Sequence, residues 1–255
     1  MRELVRDVQV DGAAIRLRTL APAGRSRDSL GPTLVLLHGV GGSRTMRALH
    51  RQLSRRHRTI LVEWSGEGSA PAADLGGARY TASRIATALH EVGASDCLPI
   101  GHGRGAQIAV EIAQTDQELV RAVGCIAPVT DDRRRGVARQ AADFLRDLMR
   151  EPFVLSLLVL GGILRHPQHV LAVMPRALRY PMFRRVAELK VPVLLLRGHG
   201  DVLCGHDWAR RLIGVATSGA LIELPGLHHV HAQSARAVAA LVDEFLRVDA
   251  IERLR

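Results

Sequence analysis

Four short stretches carry groups that could do chemistry, and each lies just past an apolar run. They are His38-Gly39-Val40-Gly41-Gly42, Gly101-His102-Gly103-Arg104-Gly105, Asp201, and the adjacent pair His228-His229. A carboxylate beside an imidazole makes a proton-transfer pair, because it fixes the ring's tautomer and stabilises the imidazolium that forms when the ring accepts a proton. Glycines at 101 and 105 flanking one central residue have the spacing of a sharp strand-to-helix turn that ordinarily presents a serine. Here the central residue is Gly103, which has neither hydroxyl nor thiol.

Such groups act together only if separate elements bring them to one place. The chain opens as a hairpin: "LVRDVQV", a turn at Asp11-Gly12, then "AAIRLRTL", in which Ile15 and Leu17 alternate with arginines. "APAGRSRDSLGP" follows as a polar connection. The pattern then changes to short apolar runs without clean alternation, "TLVLLH", "TILVE", "CLPI", "AVGCIA", "PVLLLR" and "ALIEL", as expected for parallel strands buried on both faces. Helical spacing lies between most of them, as in Met46, Leu49 and Leu53, in Ile85, Leu89 and Val92, in Ile108 and Ile112, and in Val238, Leu241, Val242 and Phe245. Alternating strands and helices predict an α/β fold with a mostly parallel sheet, preceded by the antiparallel hairpin. Its sites should lie beyond the carboxyl ends of the strands, where all four stretches fall. Pro99, in the strand feeding the turn, lacks a ladder donor and predicts a local irregularity.

About sixty residues between "AVGCIAP" and "PVLLLR" hold no convincing strand, only helical segments around Gly136–Arg150, Phe153–Leu164 and Gln168–Ala187. An unstructured connection of that length is improbable within a compact domain. The expectation is one domain over 1–255, with 129–188 inserted as a helical cap.

Together these features resemble the α/β-hydrolase superfamily, particularly its bacterial, actinomycete-like members, over nearly the whole chain. The resemblance orders nucleophile, acid and histidine along the sequence, here Gly103, Asp201 and His229. "RGHGD" resembles the family's G-x-x-D, and "LPGLHH" its P-G-x-x-H, a spacing that selects His229 over His228. The resemblance assigns the oxyanion-hole amides to Val40 and Arg104 and implies substrate contacts at His38, Gly39 and His102. "VEWSGEGSA" resembles the family's D-x-P-G-x-G-x-S loop, with Glu63 for the acid and one residue fewer.

Gly103 departs from the family pattern, since no acyl-enzyme can form at the usual position. Cys204 and Ser43 lie near the motifs, but neither sits on a strand-to-helix turn, and packing or loop roles suit them better. Three functions follow as alternatives. The first is an enzyme using the Asp-His pair and backbone donors without an acyl-enzyme, for elimination, cyclisation or water-activated hydrolysis of a small apolar substrate. The second is a carboxylic-ester hydrolase whose serine has been replaced, and the third is a noncatalytic small-ligand-binding protein.

Composition narrows the setting. The formal charge of +10 is almost wholly arginine, Lys190 being the only lysine, and aromatics make up 3% of residues. With no long basic stripe and few stacking groups, nucleic-acid binding is not expected, and "DDRRR", 131–135, reads as a solvated helix start. Cys97, Cys125 and Cys204 match neither a disulfide framework nor a zinc site, so a reducing compartment, no metal and no cofactor are expected. "MRELVRDVQV" lacks a signal-peptide core, and the longest apolar run, "FVLSLLVLGGIL", falls short of a membrane span. A cytoplasmic location is the expectation. Oligomeric state cannot be read from these residues.

Overall fold

A computed structural model describes residues 3–24, 31–64, 77–129, 131, 133, 136–165 and 167–252. The "VEWSGEGSA" loop beyond Trp64, residues 25–30 of the polar connection, and Asp132, Arg134 and Arg135 lie outside the described residues.

The hairpin forms where alternation placed it, from β1 (Leu4–Val10) and β2 (Ala13–Leu20), paired antiparallel from Leu4↔Thr19 to Val10↔Ala13. Asp11 and Gly12 both take positive φ, 48° and 76°, the two-residue turn whose twist matches that of the flanking strands. The apolar runs become β3 (Thr33–Leu37), β4 (Thr59–Glu63), β5 (Cys97–His102), β6 (Val123–Ile126), β7 (Val193–Gly198) and β8 (Gly219–Leu224). They complete an eight-stranded sheet in the order β1-β2-β4-β3-β5-β6-β7-β8, antiparallel only at β1/β2 and β2/β4.

The middle strands are fully enclosed, Leu34 to Leu37 and Ile60 to Val62 having no exposed surface. β8 is different: as the last strand it is only half-buried along most of its length, so its apolar run does not mark burial on both faces. β5 is continuous through Pro99, which pairs in register with Val35; its ladder to β6 begins only at Ile100. The irregularity expected at Pro99 is thus confined to where pairing with β6 starts.

Helices α1 (Arg47–Leu53), α9 (Val230–Gln233) and α10 (Ala235–Glu252) pack as one group. A second group contains α2 (Ala78–Glu91), α3 (Arg104–Thr115), α7 (Met182–Ala187) and α8 (His206–Ile213). Covering both faces of a parallel sheet requires two such layers. The β6–β7 interval is helical, holding α4 (Val137–Arg150), α5 (Phe153–Arg165), α6 (Pro167–Arg179) and α7. The segment expected as one helix over 168–187 is split: α6, which itself runs through Pro175, ends at Arg179, and Pro181 caps α7, proline being well suited to a helix start.

This interval is tied to the helix that follows Gly103. Glu111 of α3, buried, accepts Tyr180 Oη–H at 2.8 Å and Arg185 Nε–H at 2.7 Å. Gln107 of the same helix donates to Ala177 O at 2.9 Å.

Candidate functional site

Gly103 joins β5 to α3 with φ 55° and ψ −114°, a backbone shape that glycine adopts at little cost and other residues resist. The flanking glycines are fixed by contact. A Cβ on Gly101 would lie 2.0 Å from Gly105 O, and one on Gly105 would lie 2.2 Å from Leu37 O. Only residues without side chains let helix, turn and strand approach so closely. Gly103 itself is not crowded, its Cβ position meeting only His228 Nε2, at 3.6 Å.

That histidine is the partner of the acid. His228 Nδ1–H donates to Asp201 Oδ2 at 3.0 Å, both side chains being buried, which turns the Nε2 edge towards Gly103. Asp201 is held by its other oxygen, which accepts the backbone N–H groups of Leu203 (2.8 Å) and Cys204 (2.9 Å). The buried Arg197 braces the same loop through Cys204 O and Asp201 O, and pairs with Glu223. Burial opposes charge on Asp201, yet His228 and the two amides outweigh it and hold the carboxyl below its usual value. Burial likewise opposes charge on His228, but Asp201, with Asp147 and Glu151 behind it, raises its pKa above the ordinary 6.5.

The spacing that selected His229 is therefore corrected by the fold: His228 meets Asp201, and His229 does not. The two rings stand perpendicular, 5.2 Å apart at 89°. His229 donates from its backbone N–H (3.0 Å) and from Nδ1–H (3.2 Å) to Glu151 Oε1, while Gln233 holds the other oxygen of Glu151. The backbone N–H of His228 points to Asp147 Oδ2 at 3.3 Å. Asp147 and Glu151, four residues apart at the end of α4, thus grip consecutive amides and set which ring faces which way. Sequence reasoning missed both acids, although two carboxylates at i and i+4 on one helix face were visible in "DLMRE".

Behind the dyad the histidines cluster. His102 Nε2–H donates to His228 O at 3.2 Å, and its ring lies 4.2 Å from His231 and 4.8 Å from His229. Burial, then repulsion from the neighbouring histidines, keeps His102 and His231 neutral, with pKa values well below the ordinary range. Burial also pushes Asp147 up to about 6. Asp147, Glu151 and His229 place three metal-type ligand atoms within 4.8 Å of one another. Those on Glu151 and His229 already satisfy each other, leaving Asp147 Oδ1 as the buried oxygen without a partner.

A cavity of about 290 Å³ opens above this group, lined by Gly39, Val40, His102, Gly103, Arg104 and His228 on one side. Phe144, Ile163, Val170, Met174 and Leu178 of α4 to α6 line the other. Arg104 is the first residue of α3, so its backbone N–H has no acceptor within the helix, and the positive end of the helix dipole lies at Gly103. His38, expected among the substrate contacts, is not in the wall. It stacks on Trp64 at 3.8 Å and 8°, and bonds to Gly39 O. The stacking turns its ring away, whereas Gly39 and His102 do reach the cavity.

The alternative nucleophiles are engaged elsewhere. Ser43 Oγ–H donates to Glu63 Oε1 at 2.9 Å, which also accepts Arg18, so Glu63 anchors the glycine-rich loop to β4. Burial, reinforced by Asp201, pushes the Cys204 thiol well up, leaving no thiolate. All three cysteines are buried and none of them forms a disulfide.

Residues 34–241 match the model of a family described as the alpha/beta hydrolase family. The chain is 26% identical to the magnesium-chelatase 30 kDa subunit of Rhodobacter capsulatus, covering 85% of this chain and 87% of that one. It is 32% identical to the sn-1-specific diacylglycerol lipase ABHD11 of Xenopus laevis over 96 residues, 36% of this chain and 30% of the lipase. Among solved structures, E-2-(acetamidomethylene)succinate hydrolase superposes with a TM-score of 0.78 at 19% identity, covering 96% of this chain and all of that one.

Proposed function

Because the chain belongs to the alpha/beta hydrolase family, we propose that it is an enzyme in which the Asp201–His228 dyad performs general-base chemistry above Gly103 without an acyl-enzyme. One observation carries this reading: His228 is bonded through Nδ1 to Asp201, with Nε2 3.6 Å from the place a side chain on Gly103 would begin. The position that holds a nucleophilic oxygen in a serine hydrolase is thus open to water or to part of the substrate.

In hydrolysis, His228 Nε2 takes a proton from water as its oxygen bonds to a carbonyl carbon, and the carbonyl π pair moves onto oxygen. The backbone N–H groups of Val40 and Arg104 stabilise that oxyanion. Collapse restores the carbonyl and breaks the bond to the leaving group, which takes the proton back from Nε2. In elimination the same base takes a substrate C–H proton alpha to a carbonyl, the same amides hold the enolate oxygen, and its collapse forms the C=C bond as the beta leaving group departs with the proton from Nε2. Asp201 stays ionised throughout and supports the imidazolium.

We read the β6–β7 helices as a cap whose apolar inner wall selects a small, largely apolar substrate, with Gly39 and His102 at the floor. Three buried cysteines, none of them in a disulfide, support a reducing, cytoplasmic setting.

Product analysis over a panel of small esters and lactones, with elimination substrates alongside, tests the assignment. His228→Ala should lower turnover about 10²- to 10⁴-fold, the usual worth of a positioned base, and His229→Ala should lower it far less. Unchanged turnover in His228→Ala overturns the proposal. The apolar wall favours a second reading, ligand retention without reaction. Ligand binding undiminished in His228→Ala, with no product from the unaltered protein, would select it.

A further inference from the structure

Most of the large apolar side chains exposed among the described residues lie in one region. Leu145 (57%) and Met149 (73%) on α4, Phe153 (75%), Val154 (70%), Leu157 (52%), Leu160 (40%) and Leu164 (66%) on α5, and Leu171 (74%) on α6 all face outwards. On α5 the positions 153, 154, 157, 160 and 164 recur at helical spacing and form one stripe about 16 Å long. Leu155 and Val159, on the other side, are buried. A contiguous apolar face of this kind marks an interaction surface rather than ordinary solvent-facing structure.

Its charge indicates what it meets. Residues 137–179 contain six arginines, at 139, 146, 150, 165, 176 and 179, all exposed. The acids in the same span are Asp143, Asp147 and Glu151, the last two buried beneath α4. A twofold pairing of this face with a second copy would set arginines against arginines. An anionic lipid surface is complementary to both features, taking apolar side chains at the acyl boundary and guanidinium groups at phosphate level.

We propose that the outer face of α4 to α6 docks on anionic bilayers, with α5 lying in the plane of the interface. Among the described residues no single helix is long and apolar enough to cross a membrane, and the 13 residues of α5 reach about 20 Å against about 30 Å of hydrocarbon. The same helix contributes Ile163 to the cavity, so a docked α5 lies between the lipid and the site.

Vesicle flotation of the full chain tests this, using phosphatidylcholine alone and phosphatidylcholine mixed with phosphatidylglycerol. Binding is expected to the mixed vesicles, weakened by added salt. It should fall at least about tenfold in Leu157→Glu/Leu160→Glu, given the burial each leucine loses. Arg146→Gln/Arg165→Gln should lose the preference for phosphatidylglycerol, whereas Val248→Glu, on α10, should bind as the unaltered chain does. No flotation with the mixed vesicles, equal flotation with both vesicle types, or flotation unaffected by the leucine and arginine variants would each overturn the proposal. So would a dimer in sedimentation velocity that Leu157→Glu/Leu160→Glu dissolves, which would make this face a self-association surface.

Discussion

Replacing Gly103 with serine perturbs the centre of the site while leaving its frame intact, and the structure sets the size of the effect. The backbone there has φ 55° and ψ −114°, and holding an L side chain in so sparsely populated a region costs about 1–3 kcal/mol. No collision adds to this, since the new Cβ would meet only His228 Nε2, at 3.6 Å. Extending it by one carbon–oxygen bond brings the hydroxyl, in one rotamer, to the ~2.8 Å of a hydrogen bond, which returns about 1 kcal/mol. Gly103→Ala should therefore be destabilised by about 1–3 kcal/mol in urea denaturation and Gly103→Ser by less. In function, Gly103→Ser should gain a stoichiometric acylation burst with an activated short-chain ester. The unaltered chain and Gly103→Ala should show none, and His228→Ala combined with Gly103→Ser should lose it. A folded Gly103→Ser without a burst, or with one that does not depend on His228, would refute the placement of the dyad above this turn.

The neighbouring glycines should behave in the opposite way: Gly101→Ala or Gly105→Ala drives a methyl into backbone atoms at 2.0 or 2.2 Å, and a stability loss of about 3 kcal/mol or more is expected from denaturation. Since the base must be neutral and Asp201 raises the pKa of His228 above 6.5, kcat/KM should fall as pH drops through a value above 6.5. In Asp201→Asn that limb should move to lower pH and kcat should drop by up to ~10⁴-fold. Asp147 has a folded pKa of about 6 against an ordinary 3.8, so its contribution is fully present below the lower value and lost as pH rises through the upper one. The urea midpoint of the unaltered chain should accordingly fall relative to Asp147→Asn between about pH 4 and about pH 6, and parallel midpoints would contradict the assigned burial.

The sequence by itself determined the frame. The strands themselves, the Asp11-Gly12 turn and the Gly101–Gly105 spacing depend on local chemistry, on side-chain periodicity and on the torsions glycine permits, so they were legible in the sequence, although the half-burial of β8, set by its place at the sheet edge, was not. The identity of the acid was legible too, because Asp201 lies just past the end of β7 in a stretch, Arg197-Gly198-His199-Gly200-Asp201, that resembles the family's G-x-x-D. Which of two adjacent histidines faces that acid was not. His228 and His229 differ by one step along a loop, and their directions are set by Asp147 and Glu151, which are 81 and 78 residues away and accept their backbone N–H groups. The same holds for His38, whose ring is claimed by Trp64, and for α5, whose apolar run does not itself say which of its faces is packed and which is exposed. Periodicity and torsion are properties of neighbours in the chain. The aim of a ring and the covering of a helix face depend on residues far along the chain, and only the tertiary structure decided them.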